Sequence, residues 1–160
     1  MGLPLPHQLT TVSRPSVTTR SMRADAIDVA VIDAAHFRGF VDDESDTTKG
    51  GTDHHWWKGR QDKDGYGIYS LWNPATGTVT KLRAHRVAHA LAHGGLPADV
   101  HVLHSPGCED PGCCNPAHTY RGDAAANAGD RDRPARKSAL AARRHQAAGQ
   151  YPFPDWDRLT

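Results

Sequence analysis

The stretch His104-Ser-Pro-Gly-Cys108-Glu-Asp-Pro-Gly-Cys113-Cys114-Asn115-Pro116-Ala117-His118 constrains this chain more than any other. It is too rich in proline and glycine to bury a core of its own, so something other than apolar packing has to hold it. All 3 cysteines of the 160-residue chain fall between positions 108 and 114. An odd, crowded set of thiols cannot build a disulfide framework, and in a reducing compartment such clusters serve metal binding more often than packing. Cys108, Cys113 and His118 follow one another at five-residue intervals. Two thiolates and an imidazole are a borderline-soft set suited to tetrahedral zinc, which requires a fourth ligand. Incidental buried thiols are the alternative.

The rest of the composition bounds the class of protein. The length suits one domain with tails. The longest apolar runs, such as Val29 to Ile32, fall far short of the roughly 20 residues needed to cross a bilayer. The opening MGLPLPHQLTTVSRP lacks the charged and apolar regions of a signal peptide, so the expected location is intracellular, cytoplasmic or nucleoid-associated. A formal net charge of +1 hides a sorted distribution: −2 over residues 1–50, +2 over 51–100, −2 over 101–127 and +3 over 128–160. The 11 histidines are an unusual number, and imidazole supplies both metal ligands and bases poised near neutral pH.

The expected fold class is α+β. Residues 1–24 read as a flexible arm without apolar periodicity. Asp25 to Val41 has near-helical spacing with Asp25 as a cap, and Asp42 to Asp53 reads as a solvated acidic loop. Residues 54–83 alternate strand-forming runs with the Asp64-Gly65 and Asn73-Pro74 turn signals, predicting a small antiparallel meander. Ala84-His-Arg-Val-Ala-His-Ala-Leu-Ala-His93 predicts a helix stopped by Gly94 and Gly95 before Pro97. A strand His-Val-Leu-His104, the Cys/Pro/Gly loop, a strand around His118 to Arg121 and a helix starting near Asp123 then complete a strand–loop–strand–helix unit. A second basic helix after Pro134 and an aromatic, Pro-interrupted end are expected in the basic tail, residues 134–160. Trp56, Trp57, Tyr66, Tyr69 and Trp72 are expected in the small core rather than as base-stacking platforms. The stripe His85, His89 and His93 shares a helix face, which reads as packing and surface positions before a second metal site.

Taken in order, several of these segments resemble the HNH, or ββα-metal (His-Me finger), nucleases, specifically the zinc-containing His-Cys box homing endonucleases and their phage relatives. The residues that carry the resemblance are His54-His55-Trp56-Trp57-Lys58-Gly59, Asp64-Gly65-Tyr66-Gly67, Ala84-His85-Arg86-Val87-Ala88, His104, Cys108, Cys113-Cys114-Asn115-Pro116-Ala117-His118 and Asn127. It spans roughly residues 36 to 133, and it places an HNH nuclease domain at 25–133 with the zinc-binding ββα core at about 100–133.

The resemblance implies structural zinc held by Cys108, Cys113, His118 and, where the family has a cysteine, His54, with His55 as its rival. It implies that His104 is the general base activating water and that Asn127 binds catalytic Mg²⁺, with Mn²⁺ as a substitute. Arg83 is the favoured cation near the scissile phosphate. The chain departs from the family in placing His104 four residues before Cys108 rather than two, which leaves His101 as a competitor for the base. Leu103 stands where many HNH enzymes carry a further metal ligand, Thr119 and Asp123 replace commoner residues, and Cys114 is an extra thiol.

Lys58, Arg60, Lys63, Lys81 and Arg86 lie on or near the meander, a shape that enters a major groove. Arg131, Arg133, Arg136, Lys137, Arg143 and Arg144 form a basic stretch suited to phosphates. The expected function is a divalent-metal-dependent endonuclease acting on double-stranded DNA, with a homodimer among its possible states and a phage, nuclear or organellar setting equally open. A catalytically inactive zinc-stabilised DNA-binding module is the alternative, and a zinc-stabilised protein-interaction domain a third.

Overall fold

A computed structural model describes residues 17–18, 25–42, 53–138 and 141. It is a mixed α+β structure of small sheets around one buried helix. In chain order the strands are β1 (Val17–Thr18), β2 (Val41–Asp42), β3 (Trp56–Trp57), β4 (Ile68–Asn73), β5 (Thr78–Arg83), β6 (His101–His104) and β7 (Thr119–Gly122). The α-helices are α1 (Ala34–Arg38), α2 (Ala84–His93) and α3 (Ala124–Asp132), with single 3-10 turns at Val29–Val31 and Pro116–His118.

The expected helix from Asp25 to Val41 is broken into pieces. Asp28 accepts from the Ala30 amide and Asp33 from the His36 amide, so two acidic caps start two separate short turns. Ile27 instead pairs with Leu96, and Val41–Asp42 becomes a strand against Trp56–Trp57. The expected meander over 54–83 is likewise split. Its first strand, β3, pairs antiparallel with β2, while β4 and β5 form a separate hairpin with Ile68 opposite Arg83. Within the stretch read as an unstructured arm, Val17–Thr18 pairs parallel with Val79–Thr80. The rest of that arm, most of the acidic loop, Arg143, Arg144 and the aromatic end lie outside the described residues.

Helix α2 agrees with its sequence signals. Gly94 takes the left-handed cap conformation (φ 76°) and its amide bonds to the Ala90 carbonyl. Every side chain from Ala84 to Ala90 is buried, and Ile27, Phe37, Trp57, Tyr69, Leu82, Val87, Leu96 and Val102 form the core with it. The Asp64-Gly65-Tyr66-Gly67 turn is tied by the Asp62 carboxylate, which accepts from the amides of Asp64 and Tyr66. Gly67 is required by close approach: a Cβ there would meet the Trp57 ring at 2.7 Å and the Ala84 Cβ at 2.8 Å. Of the aromatics expected inside, Trp57 and Tyr69 are buried, Trp56 and Tyr66 are half-buried, and Trp72 on the outer hairpin is 52% exposed.

Strands β6 and β7 pair antiparallel, His104 opposite Thr119 and His101 opposite Gly122. Asp123 caps α3 by accepting from the Ala126 amide, as its position suggests. His118, expected in the strand, closes the 3-10 turn instead, because Asn115 caps that turn and Pro116 stands at its start. The backbone is helical again over 134–138. No described helix is long and apolar enough to cross a membrane.

Candidate metal centre and the adjoining cleft

The Cys/Pro/Gly loop is held from outside by β3. Trp56 bridges Cys113, the Trp57 amide donates to the Gly112 carbonyl, and the Cys114 amide donates to the His55 carbonyl at 2.7 Å. That pairing brings His54, two residues before β3 begins at Trp56, against the loop. The ring of His54 stacks on Trp56 (centroids 4.8 Å) and meets His118 edge-on at 5.1 Å. Asn115 fastens the other side: its side-chain nitrogen donates to the Asp53 carbonyl and its oxygen accepts from the Ala117 amide.

The result is a cluster of His54, Cys108, Cys113 and His118 whose ligand atoms all lie within 4.8 Å of one another. Cys108 Sγ is 3.7 Å from His54 Nδ1, and Cys113 Sγ is 3.5 Å from His118 Nδ1. Tetrahedral zinc with ordinary bond lengths sets its ligand atoms roughly 3.3–3.8 Å apart, so the donor set and its spacing fit that ion. The four side chains can therefore hold a metal such as zinc. His55, the rival fourth ligand, stands outside the cluster beside Asp53 at 4.0 Å. Cys114 is buried in the core and belongs to no cluster.

The electrostatics suit a cation. A hydrogen bond from Cys108 depresses the Cys113 thiol to about 4, against the opposing effect of burial and with help from the Asn115 amide, His54 and His118. The same bond, followed by burial, raises Cys108. The pair thus shares one proton, which a metal ion would displace. His54→Ala is expected to lower zinc stoichiometry or affinity by at least about tenfold, while His55→Ala leaves it near wild type. Chelator competition measures both, and equal losses would assign the fourth position to neither residue.

His104 joins this cluster to a cleft. It is 3% exposed, and its Nε2 lies 3.1 Å from the Cys113 carbonyl oxygen. A carbonyl only accepts, so Nε2 carries the hydrogen and Nδ1 carries the lone pair. Burial, then the positive Arg136, lowers the imidazole to about 4. Between His104 and Cys108 the chain makes a tight turn: the Cys108 amide bonds to the Ser105 carbonyl, Gly107 adopts φ 98°, and Pro106 and Gly107 are exposed.

The cleft beside His104 is lined by Asn127 from α3, Arg83, His85, His101, Tyr66 and Arg136, among others. His104, Asn127 and Arg83 therefore line one cleft. Arg83 is ion-paired with Asp62, and its guanidinium lies 4.6 Å from the centre of the Tyr66 ring. His101, the competing base, is at the same cleft but half-buried at the start of β6.

The residues expected to bind DNA divide. Lys58, Arg60, Lys63 and Arg131 are exposed, and Lys81 is half-buried. Arg86 is 1% exposed, with its guanidinium on the Asp25 and Val100 carbonyls, so it ties α2 to its neighbours rather than presenting a surface. Arg133 bonds to the His104 carbonyl and to the carboxylates of Glu109 and Asp130. Sequence reasoning placed Arg136 among tail phosphate contacts. It is instead 5% exposed and reaches Tyr66, Glu109 and His104. Its only sequence signal was its place in the basic stretch from Arg131 to Arg144.

The histidine stripe on α2 packs as expected. His85 Nε2 donates to the Val102 carbonyl and its ring lies 4.9 Å from His104, His89 contacts the Thr119 hydroxyl at 2.9 Å, and His93 is exposed. Among the described residues, only His54, Cys108, Cys113 and His118 form a metal-ligating group of His, Cys or acidic side chains. Burial, with smaller contributions from His93 and Arg121, lowers His89 to about 4. An unfolded imidazole titrates near 6.5, so between about pH 6.5 and 4 the unfolded chain binds more protons and stability falls as pH falls. Urea unfolding of the metal-loaded protein at pH 7.5 and 4.5 is expected to show that loss, and His89→Gln to reduce it. An identical loss in both proteins would remove His89 as its source.

Comparison with protein-family models, curated proteins and solved structures returned no match for this chain.

Proposed function

We propose that this chain is a divalent-metal-dependent DNA endonuclease of the HNH, ββα-metal type, cutting phosphodiester bonds in double-stranded DNA to leave a 5′ phosphate. The observation that supports this best is the seating of His104. Its Nε2–H is spent on the Cys113 carbonyl, which leaves the Nδ1 lone pair in the cleft that Asn127 lines from α3. A neutral, oriented imidazole in a cleft that an asparagine side chain also lines suits water activation and cation binding. The strand–loop–strand–helix order of β6, β7 and α3, closed by a zinc-compatible knuckle, is the frame expected of that family.

In this reading zinc at His54, Cys108, Cys113 and His118 is structural, and the Asn127 side-chain oxygen helps hold Mg²⁺, or Mn²⁺ in its place. Such a cation, when bound, would supply electrostatic stabilisation of the charge that develops during phosphodiester cleavage. His104 Nδ1 takes a proton from the attacking water as its oxygen forms a bond to phosphorus. The bond from phosphorus to the 3′ oxygen breaks, and that oxygen takes a proton from solvent. Lys58, Arg60, Lys63 and Arg131 supply exposed positive charge for the DNA backbone.

A second reading, a zinc-stabilised DNA-binding module without catalysis, is favoured by one contact: Arg136 Nη2 stands 3.4 Å from His104 Nδ1, on the lone pair the base needs. Plasmid cleavage separates the two. Purified zinc-loaded protein with Mg²⁺ is expected to convert supercoiled plasmid or a random-sequence duplex library, and to stop when the His104 base is removed. Salt-sensitive DNA binding without conversion of either substrate would establish the second reading.

A further inference from the structure

We infer that Arg136, held by the Tyr66 hydroxyl and standing beside His104, forms a binding site for one phosphate group of a nucleic-acid backbone, as the cation that meets the phosphodiester. This deepens the nuclease reading and rests on it for the identity of the phosphate's owner.

The argument starts from what surrounds the guanidinium. Arg136 is 5% exposed, and its Nη1 donates to the Glu109 carbonyl oxygen at 2.6 Å. Nη2 donates to the Tyr66 hydroxyl at 2.6 Å and approaches His104 Nδ1 at 3.4 Å. These three hydrogen-bond partners are a carbonyl, a phenol and a neutral imidazole. Three neighbouring cations hold carboxylates, Arg83 with Asp62, Arg133 with Glu109 and Asp130, and Lys137 with Asp132, while buried Arg86, which like Arg136 rests on carbonyl oxygens, lies against Asp25 and Val100. A buried guanidinium held by neutral partners retains its charge for an incoming anion, and removing it from water is costly until one arrives. Arg136 lines the cleft that contains His104 and Asn127.

The shape of the site selects the anion. A guanidinium presents planar donors that match two oxygens of a phosphate. The longest of the three contacts is the one to His104, so it is the contact most readily given up. When a phosphate enters, Nη2 turns to a non-bridging oxygen and the His104 lone pair is released to a water molecule. The Glu109 contact anchors the guanidinium to the metal loop beside Cys108. Arg83 lies on the same Tyr66 ring but has its charge met by Asp62.

The test uses the full zinc-loaded chain. Without Mg²⁺, binding of a short DNA duplex is measured against NaCl concentration for wild type and Arg136→Gln. Loss of one phosphate contact should lower the slope of log affinity against log salt by about 1. With Mg²⁺, Arg136→Gln should cleave about 10²-fold or more slowly, and Arg136→Lys should restore the salt slope more fully than the rate. Because the Glu109 contact also steadies the loop, zinc content is measured for each variant. A second measurement needs no loss-of-contact variant: the guanidinium ¹⁵N–¹H resonances of Arg136 in wild type should shift saturably on adding inorganic phosphate. An unchanged salt slope in zinc-retaining Arg136→Gln, or no phosphate-dependent shift in wild type, overturns the site. Phosphate binding at Arg136 in a protein that cleaves no DNA would uphold the site while removing the nuclease reading. Cleavage unaffected by Arg136→Gln would do the reverse.

Discussion

Stripping the metal from zinc-loaded protein with a strong chelator is expected to collapse the tertiary structure between Asp53 and His118 and, on the nuclease reading proposed above, to abolish DNA cleavage. The magnitude follows from comparing two energies. Structural zinc sites contribute about 10–16 kcal/mol of apparent binding free energy at neutral pH, whereas whole domains are stable by about 5–15 kcal/mol. The loop has little else to replace the ion: between Ser105 and His118 its buried side chains are Cys108, Pro111, Cys113, Cys114 and Asn115. The loop also carries the pairing to β3 and the carbonyl that holds His104. Near-ultraviolet circular dichroism and thermal unfolding, followed as chelator is added and then reversed with Zn²⁺, measure this. A chelated protein that keeps its wild-type melting curve would make the cluster an ordinary group of buried thiols and imidazoles.

If the proposed nuclease reading holds, His104→Ala is expected to reduce Mg²⁺-dependent cleavage by at least about 10²-fold, the usual contribution of a positioned general base, while zinc content stays at wild-type level. Asn127→Ala should act differently in detail. If its oxygen helps hold the cation, the loss is partly restored by raising Mg²⁺ or by substituting Mn²⁺, whereas His104→Ala is insensitive to either. Rate measurements over a range of both cations distinguish the roles. Equal cation sensitivity in the two variants would place neither residue where the proposed mechanism has it. His104→Ala leaves a cavity beside His85 and frees the Cys113 carbonyl, so each rate is read with a matched zinc measurement.

What could be read from the sequence were features with local causes. Gly94 after an apolar-periodic run fixed the end of α2, Asp123 capped α3, and the five-residue spacing of Cys108, Cys113 and His118 brought donors together. The fourth donor was open because the choice between His54 and His55 depends on strand alternation. That alternation is set by the Trp56–Cys113 bridge, a pairing across more than fifty residues. The single helix from Asp25 to Val41 failed for a similar reason: apolar spacing alone does not reveal that Asp28 and Asp33 each capture an amide, or that Val41 finds a partner in Trp57. Arg86 and Arg136 show the limit for charge. Both read as surface phosphate contacts, and both are buried because backbone carbonyls far away in sequence happen to face them.

Cys113 offers its sulfur to the metal cluster and its carbonyl oxygen to His104. Occupancy of the cluster and choice of imidazole tautomer are therefore coupled through one residue only a few bonds long. A preparation that has lost half its metal should accordingly behave as a mixture of fully competent and inert molecules. On the nuclease reading, the number of active molecules would fall in proportion to metal content, while the rate constant of the survivors would not drift.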